Sequence, residues 1–300
     1  MKRKTIIFLI TAAVLFLSSS IEGKLRVVVS YNYIADIVNR IGGEQVSVTP
    51  LSKGYKDPHY ITPRPSFIAK MRKADLLIIN GGQLEIGWIP PIIKKANNPK
   101  VNPGSRGFLD LFGFIEALDV PKEISRAHGD VHPDGNPHFH LDPENVLKVS
   151  EAIRDKLIDL DLKHRSLYEN GYKEFSGLWQ SKMDEWKKKM EKFSGKNVVQ
   201  YHKNFDYFLK RFNMKQLGTL EPVPGIPPTT RHILEMIDMI NNKGAEFIIH
   251  DVYHMKKPSR FVNRKTGVKL VILPHDVGSL PAVKDVFSLF DEIVRRILND

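Results

Sequence analysis

No cysteine occurs among the 300 residues, so the chain can form no disulfide, build no thiolate metal site and attach no lipid through an N-terminal cysteine. A metal ion, if one binds, has to be held by imidazole and carboxylate. Long apolar runs are also missing. The one membrane-like stretch, Ile6 to Leu17, is shorter than the roughly 20 apolar residues a spanning helix needs. It follows Lys2, Arg3 and Lys4 and precedes Ser18 to Ser20, which is the layout of a cleavable secretory signal, expected over residues 1–23. The enzyme templates find nothing either: there is no HExxH, no GxSxG, no phosphate-binding glycine loop and no dinucleotide fingerprint. These absences together favour a soluble periplasmic protein that is neither a lipoprotein nor an enzyme.

What is present is ordinary globular composition, 42% hydrophobic and 26% charged, enough for one large domain or two modest ones. The formal net charge is +11, and +9 once three basic groups and one acidic group leave with the signal. Such a charge raises nucleic acid or an anionic surface as partners. The basic residues are dispersed, however, apart from short runs such as Lys187 to Lys189, and export separates the protein from nucleic acid. A solvated basic surface on a monomer, with no nucleic-acid partner, is the expectation.

The pattern along the chain is α/β. Short apolar runs of the buried parallel-strand type occur at Arg26 to Ser30, Val46 to Leu51 and Asp75 to Asn80, with helical spacing between them. A second set follows at Asn197 to His202, Met214 to Leu220, Ala245 to Asp251 and Lys269 to His275. Helical segments come after most of these, including one with Thr230 as its expected N-cap. Between the sets, Pro143 to Leu160 reads as one amphipathic helix. From His164 to Phe193, apolar residues recur every three or four positions. A helix of that span is roughly 40 Å long and reads as a rigid spine, although Gly171 and Gly177 weaken it. The fold class expected is thus α/β: two lobes, each a mostly parallel sheet flanked by helices, joined by a long rigid spine helix. The lobes are assigned to 24–142 and 196–300, with the helical connection at 143–195.

In open parallel sheets, ligands bind beyond the carboxyl ends of the strands. His59, His202 and Asp276 lie just past such ends, and His138 precedes the helix that starts at Pro143. Three imidazoles and one carboxylate suit zinc first and manganese second, whereas an oxygen cage for calcium or magnesium is not indicated. Other groups compete. His275 adjoins Asp276, while Asp251 and Glu221 end further strands and are alternative carboxylates. His250 and His254 flank a strand end in IIHDVYH. His140 stands two residues from His138, and His128 and His132 lie in a loop rich in Gly, Pro and Asp. A histidine at a strand end is more often a surface or hydrogen-bonding residue than a ligand.

The segment from IADIVNRIGGEQVSVTPLSKGYKDPHYITPRPSF to ADLLIINGGQLE resembles the zinc and manganese solute-binding proteins of bacterial ABC importers, the cluster A-I metal-binding family. NPHFHLDP resembles that family's second ligand motif and VVQYHKNFDYFLKRF its third. The resemblance runs from about Lys24 to the end and weakens after Glu221. It implies two α/β lobes joined by a long helix, one metal between the lobes and delivery to a membrane permease. By motif, His59, His138 and His202 would be ligands, with the fourth at Asp276 in LPHDVG. In the family a histidine at the third position goes mostly with zinc and a glutamate with manganese, so His202 favours zinc, with a manganese carrier as the alternative. A zinc-dependent hydrolase and an adhesion protein are more distant readings. Two departures stand out: Asn136 replaces the usual aspartate, and His140 replaces the usual tryptophan, a position where an aromatic packs. The spine further implies only small lobe movements on metal release.

Overall fold

The computed structural model of the chain describes residues 23–121, 132–223 and 225–299. Residues 1–22 of the expected signal, and His128, lie outside the described residues. The first lobe contains β1 (Leu25–Val29), α1 (Asn32–Gly42), β2 (Val46–Pro50), α2 (Pro65–Lys73), β3 (Leu76–Ile79), α3 (Ile89–Ala96) and β4 (Phe108–Asp110). Its four strands are all parallel, in the order β2-β1-β3-β4. Val27, Val28 and Val29 of the central strand are buried on both faces, which is why this segment is a continuous apolar run rather than an alternating one.

Two long helices connect the lobes, α4 (Pro143–Leu160) and α5 (Arg165–Met190). The second lobe repeats the first with β5 (Asn197–Gln200), α6 (Asp206–Arg211), β6 (Lys215–Thr219), α7 (Thr230–Lys243), β7 (Phe247–Asp251), α8 (Lys257–Thr266), β8 (Lys269–Leu273) and α9 (Val286–Asn299). These strands are again parallel, in the order β6-β5-β7-β8. The N-cap of α7 is Thr229 rather than the expected Thr230, because the Thr229 hydroxyl accepts the His232 amide. Among the described residues, no helix is long and apolar enough to cross a membrane.

The spine α5 runs unbroken through both glycines. Gly171 sits where α1 passes closest: a Cβ there would lie 2.5 Å from the Ile41 carbonyl oxygen. Trp179 and Trp186 anchor the helix from the same side. Their indole N–H groups donate to the Pro143 carbonyl and to Asp291, each at 2.8 Å, and both rings pack on Phe290 of α9. One hydrophobic core therefore continues from β1 of the first lobe through the spine to β8 and α9 of the second. The lobes also share polar contacts. Arg211 of α6 grips Asp142, the N-cap of α4, with two hydrogen bonds of 2.7 and 2.9 Å, and the Val286 amide of α9 donates to Asp36 of α1.

Candidate metal centre

The carboxyl ends of the strands deliver the polar residues to the gap between lobes. The loop after β2 carries His59, held by an Asx-type turn in which Asp57 accepts both the His59 amide (3.0 Å) and its Nδ1–H (2.7 Å). Burial alone would raise the Asp57 pKa, but these bonds hold it below the usual carboxylate range. Gly54 of the same loop presses on the opposite lobe, where a Cβ would collide with the Val277 carbonyl. His138 follows a turn closed by Asn136, whose Oδ1 accepts the His138 amide at 2.9 Å. The other end of that amide side chain donates to the Lys203 carbonyl and to Asp206, so the residue that replaces the family's aspartate ties this turn to the second lobe. His202 lies just past β5, and its Nδ1 meets Glu221, beyond β6, at 2.7 Å.

The ligand atoms of His59, His138 and His202 lie within 4.8 Å of one another. Nε2 of His59 and Nε2 of His138 are buried with no hydrogen-bond partner. Buried polar atoms are normally paired, and an orphan costs about 1–3 kcal/mol, so two of them aimed at one point are the mark of a site built for a cation. The carboxylates on Nδ1 of His59 and His202 fix the rings and leave Nε2 as the donor nitrogen. Burial, reinforced by the neighbouring imidazoles, drives the His138 pKa well below its ordinary value, so this ring is neutral and its lone pair is available.

Asp276, expected as the fourth ligand, is not brought into this group. Its two carboxylate oxygens accept the amides of Asn32 (3.1 Å), Tyr33 (2.9 Å) and Val277 (2.8 Å). It thus caps the first N–H groups of α1 from the other lobe, which satisfies donors that α1 cannot pair internally. Burial nonetheless pushes its pKa up to about 7. His140 is also elsewhere. Its ring stacks on Tyr33 at 4.8 Å, Nε2 meets the His275 carbonyl at 2.8 Å, and burial lowers its pKa to about 3. His275 is buried against Tyr253, with its pKa lowered to about 4 by burial. His250 has both ring nitrogens occupied, by Ser259 and the His254 carbonyl. His132 stacks on His59, with ring centroids 5.4 Å apart.

His254, read from the sequence as a competing histidine, and Glu221, weighed there as an alternative carboxylate, gather near the three imidazoles. His254 and Glu221 form a second close group with His202. Asp251, weighed as a ligand, instead holds His254: its Oδ2 meets His254 Nδ1 at 2.6 Å, and its Oδ1 accepts the amides of Tyr253 and His254. A carboxylate three residues before a histidine in a post-strand turn was the available signal.

Imidazoles converging at the carboxyl ends of two parallel sheets, with one rigid helix across both lobes, define a solute-binding protein for a metal ion. The family described as zinc-uptake complex component A, periplasmic, matches residues 27–299, and the chain belongs to it. The metal ABC transporter substrate-binding lipoprotein FimA of Streptococcus parasanguinis is 26% identical over 84% of this chain and 80% of its own length. The iron ABC transporter substrate-binding lipoprotein MtsA of Streptococcus pyogenes serotype M1 is 26% identical over 82% and 78%. The crystal structure of ZnuA has a TM-score of 0.76 at 21% identity, with 92% of this chain and 98% of that one covered. A Cd-bound periplasmic metal binding protein from candidatus Liberibacter asiaticus gives 0.77 at 22%, over 92% and 99%. The two structures share the fold described above. The chain is an extracytoplasmic substrate-binding protein of a metal ABC transporter, with a divalent metal as cargo and a membrane permease as partner, and it is not an enzyme. Both relatives are named lipoproteins, which conflicts with the expectation of an unlipidated protein.

Proposed function

We propose that the chain captures Zn(II) and hands it to the permease, with His59, His138 and His202 as the protein ligands and the fourth position open to solvent. The observation that carries this reading is the pair of buried, unpartnered Nε2 atoms on His59 and His138, facing the same small space as His202. Three neutral nitrogens and no carboxylate favour zinc over manganese, which gains more from a hard anionic oxygen. The family's description names zinc uptake, which agrees with this preference, while a Mn-bound structure of the Liberibacter protein of the same fold keeps manganese as the rival cargo. We further propose a monomer that is soluble in the periplasm after signal removal. The 300 residues contain no cysteine to carry the lipid implied by its relatives' names.

Elemental analysis of protein purified without added metal, followed by competition titration with Zn(II) and Mn(II), tests the reading. One equivalent of tightly bound zinc is expected, with manganese much weaker; no transition metal in the preparation and none bound in titration would sink it. His202→Ala should weaken zinc by more than the ~10- to 100-fold typical of losing a ligand's supporting partner. Asp276→Ala should instead leave zinc affinity within about threefold and lower stability by the ~0.5–2 kcal/mol of a lost cap. A large loss of zinc affinity in that variant would return Asp276 to the ligand set.

A further inference from the structure

The chain carries a formal charge of +11, and its cargo is a cation, which such a charge does nothing to draw in. Part of the charge gathers at the end of the C-terminal lobe away from the metal centre. α5 ends where β5 begins, and α6 and α7 each return between parallel strands, so three helix carboxyl ends meet the amino ends of the second sheet. All three end in lysine: Lys187 and Lys188 on α5, Lys210 on α6 and Lys243 on α7. A cation beside a helix carboxyl end is favoured by the helix dipole. That accounts for these four lysines but not for Lys192 beyond α5 or Lys215 at the start of β6.

The segments carrying the six are joined. The Lys215 amide donates to the Lys196 carbonyl at 2.8 Å, the Gly195 amide to the Asn213 carbonyl at 2.7 Å, and the Asn197 side chain to the Lys243 carbonyl at 3.1 Å. Lys187 and Lys188 border a shallow hollow of about 360 Å³ that reaches Asn213. All six lysines are exposed, and none forms an ion pair among the described residues, whereas their neighbours Lys189, Lys196 and Arg211 are paired with Glu185, Glu246 and Asp142. Asp184 and Glu191 line the hollow as well, which leaves the cations in excess. Lys196 stands six residues before His202 along β5, about 20 Å at ~3.3 Å per residue, while charges in physiological salt are screened over about 8 Å. The patch therefore acts little on the cargo.

None of the exposed large apolar side chains among the described residues falls within 184–197, 210–216 or 241–246. A protein interface draws its affinity from buried aromatic and apolar anchors, and single-stranded nucleic acid from aromatic stacking. Long cations without such anchors suit a diffuse anionic surface. The membrane permease that receives the metal sits in one. We propose that the amino-end face of the C-terminal lobe, centred on Lys187, Lys188 and Lys192, is a docking surface for anionic phospholipid headgroups. Through it the protein rests reversibly on the membrane that holds its permease, with the metal cleft left open to solvent. The inference does not depend on which metal the cleft takes.

Co-sedimentation with vesicles tests it, using the chain from Lys24 onward, which contains every described element and omits the apolar stretch that would itself enter a bilayer. Vesicles of phosphatidylcholine and phosphatidylglycerol should bind the protein at low salt and release it at high salt, and vesicles of phosphatidylcholine alone should not bind it. Each lysine near an anionic surface is worth about fivefold in partitioning, so Lys187→Gln/Lys188→Gln/Lys192→Gln should lower it by roughly 100-fold. Lys70→Gln/Lys73→Gln/Lys95→Gln, on α2 and α3 of the other lobe, makes the same change in net charge and should cost less than about tenfold. All six substituted lysines are exposed, and circular dichroism checks that both variants fold. Partitioning should also be the same with zinc and with chelator. Equal losses in the two variants would mean that net charge acts without a patch and would overturn the proposal. So would equal binding to both kinds of vesicle, no binding at low salt, or binding that requires zinc.

Discussion

His138 and His140 are two residues apart and point into different chemistry. His138 caps a short 3-10 turn over Phe139–Leu141 and presents an unpartnered Nε2 to the cleft, whereas His140, inside that turn, is packed on Tyr33. Motif resemblance was enough to choose His59, His138 and His202 as residues that meet. It failed for Asp276, because the α1 amides that claim its carboxylate lie more than 240 residues earlier in the chain. It also passed over His254, whose one cue in IIHDVYH is the spacing of three from Asp251, with His250 competing beside it. His140 has a measurable consequence. Its pKa is about 3 in the folded protein against an ordinary 6.5, so as pH falls below about 6.5 the unfolded chain takes up a proton that the folded chain refuses. The stability tied to this neutral ring is complete above that pH and is lost as acid is added, by about 2 kcal/mol at pH 5. In metal-free protein, His140→Phe should therefore show a smaller drop in Tm between pH 7 and pH 5 than wild type. Equal drops would mean that the buried ring is not a source of acid sensitivity.

Among the elements, those with a buried apolar run or a strong three-to-four spacing were readable, and those without were not. β4 is only three residues long, and α8, KPSRFVNRKT, buries just Ser259 and Val262, so neither prints a pattern on the sequence. The spine was legible through its aromatic stripe, yet its glycines looked alike in sequence and differ in space. Gly171 exists for the close approach of α1, while a Cβ at Gly177 would meet nothing within 4 Å. Gly171→Ala should destabilise by about 1–3 kcal/mol, since the atom in the way is backbone that cannot turn aside. Gly177→Ala should stabilise by about 0.5–1 kcal/mol through helix propensity and the lost freedom of the unfolded chain. Denaturant midpoints of the two variants should move in opposite directions, and a shift of the same sign in both would contradict the packing asymmetry.

At the scale of the whole molecule, the fold is two copies of a parallel sheet, but the packing is that of one body. The core runs through the spine without a break, and polar ties cross between the lobes at Asp142 to Arg211, Arg40 to Asp285, Asp36 to Val286 and Asp276 to the start of α1. The sequence showed two lobes and a helix between them; it could not show these ties, which join residues far apart in the chain. A hinge that opened widely would have to break these ties, most of them partly buried hydrogen bonds to charged groups, along with the shared apolar packing. Domain closure of the wide-hinge kind is therefore disfavoured relative to small shifts of loops at the cleft. Small-angle scattering of the same preparation with zinc and after removal by chelator should give superimposable profiles and the same radius of gyration. A clear compaction on adding zinc would show that the ties across the lobes open in solution, and that the metal closes the cleft rather than entering one already assembled.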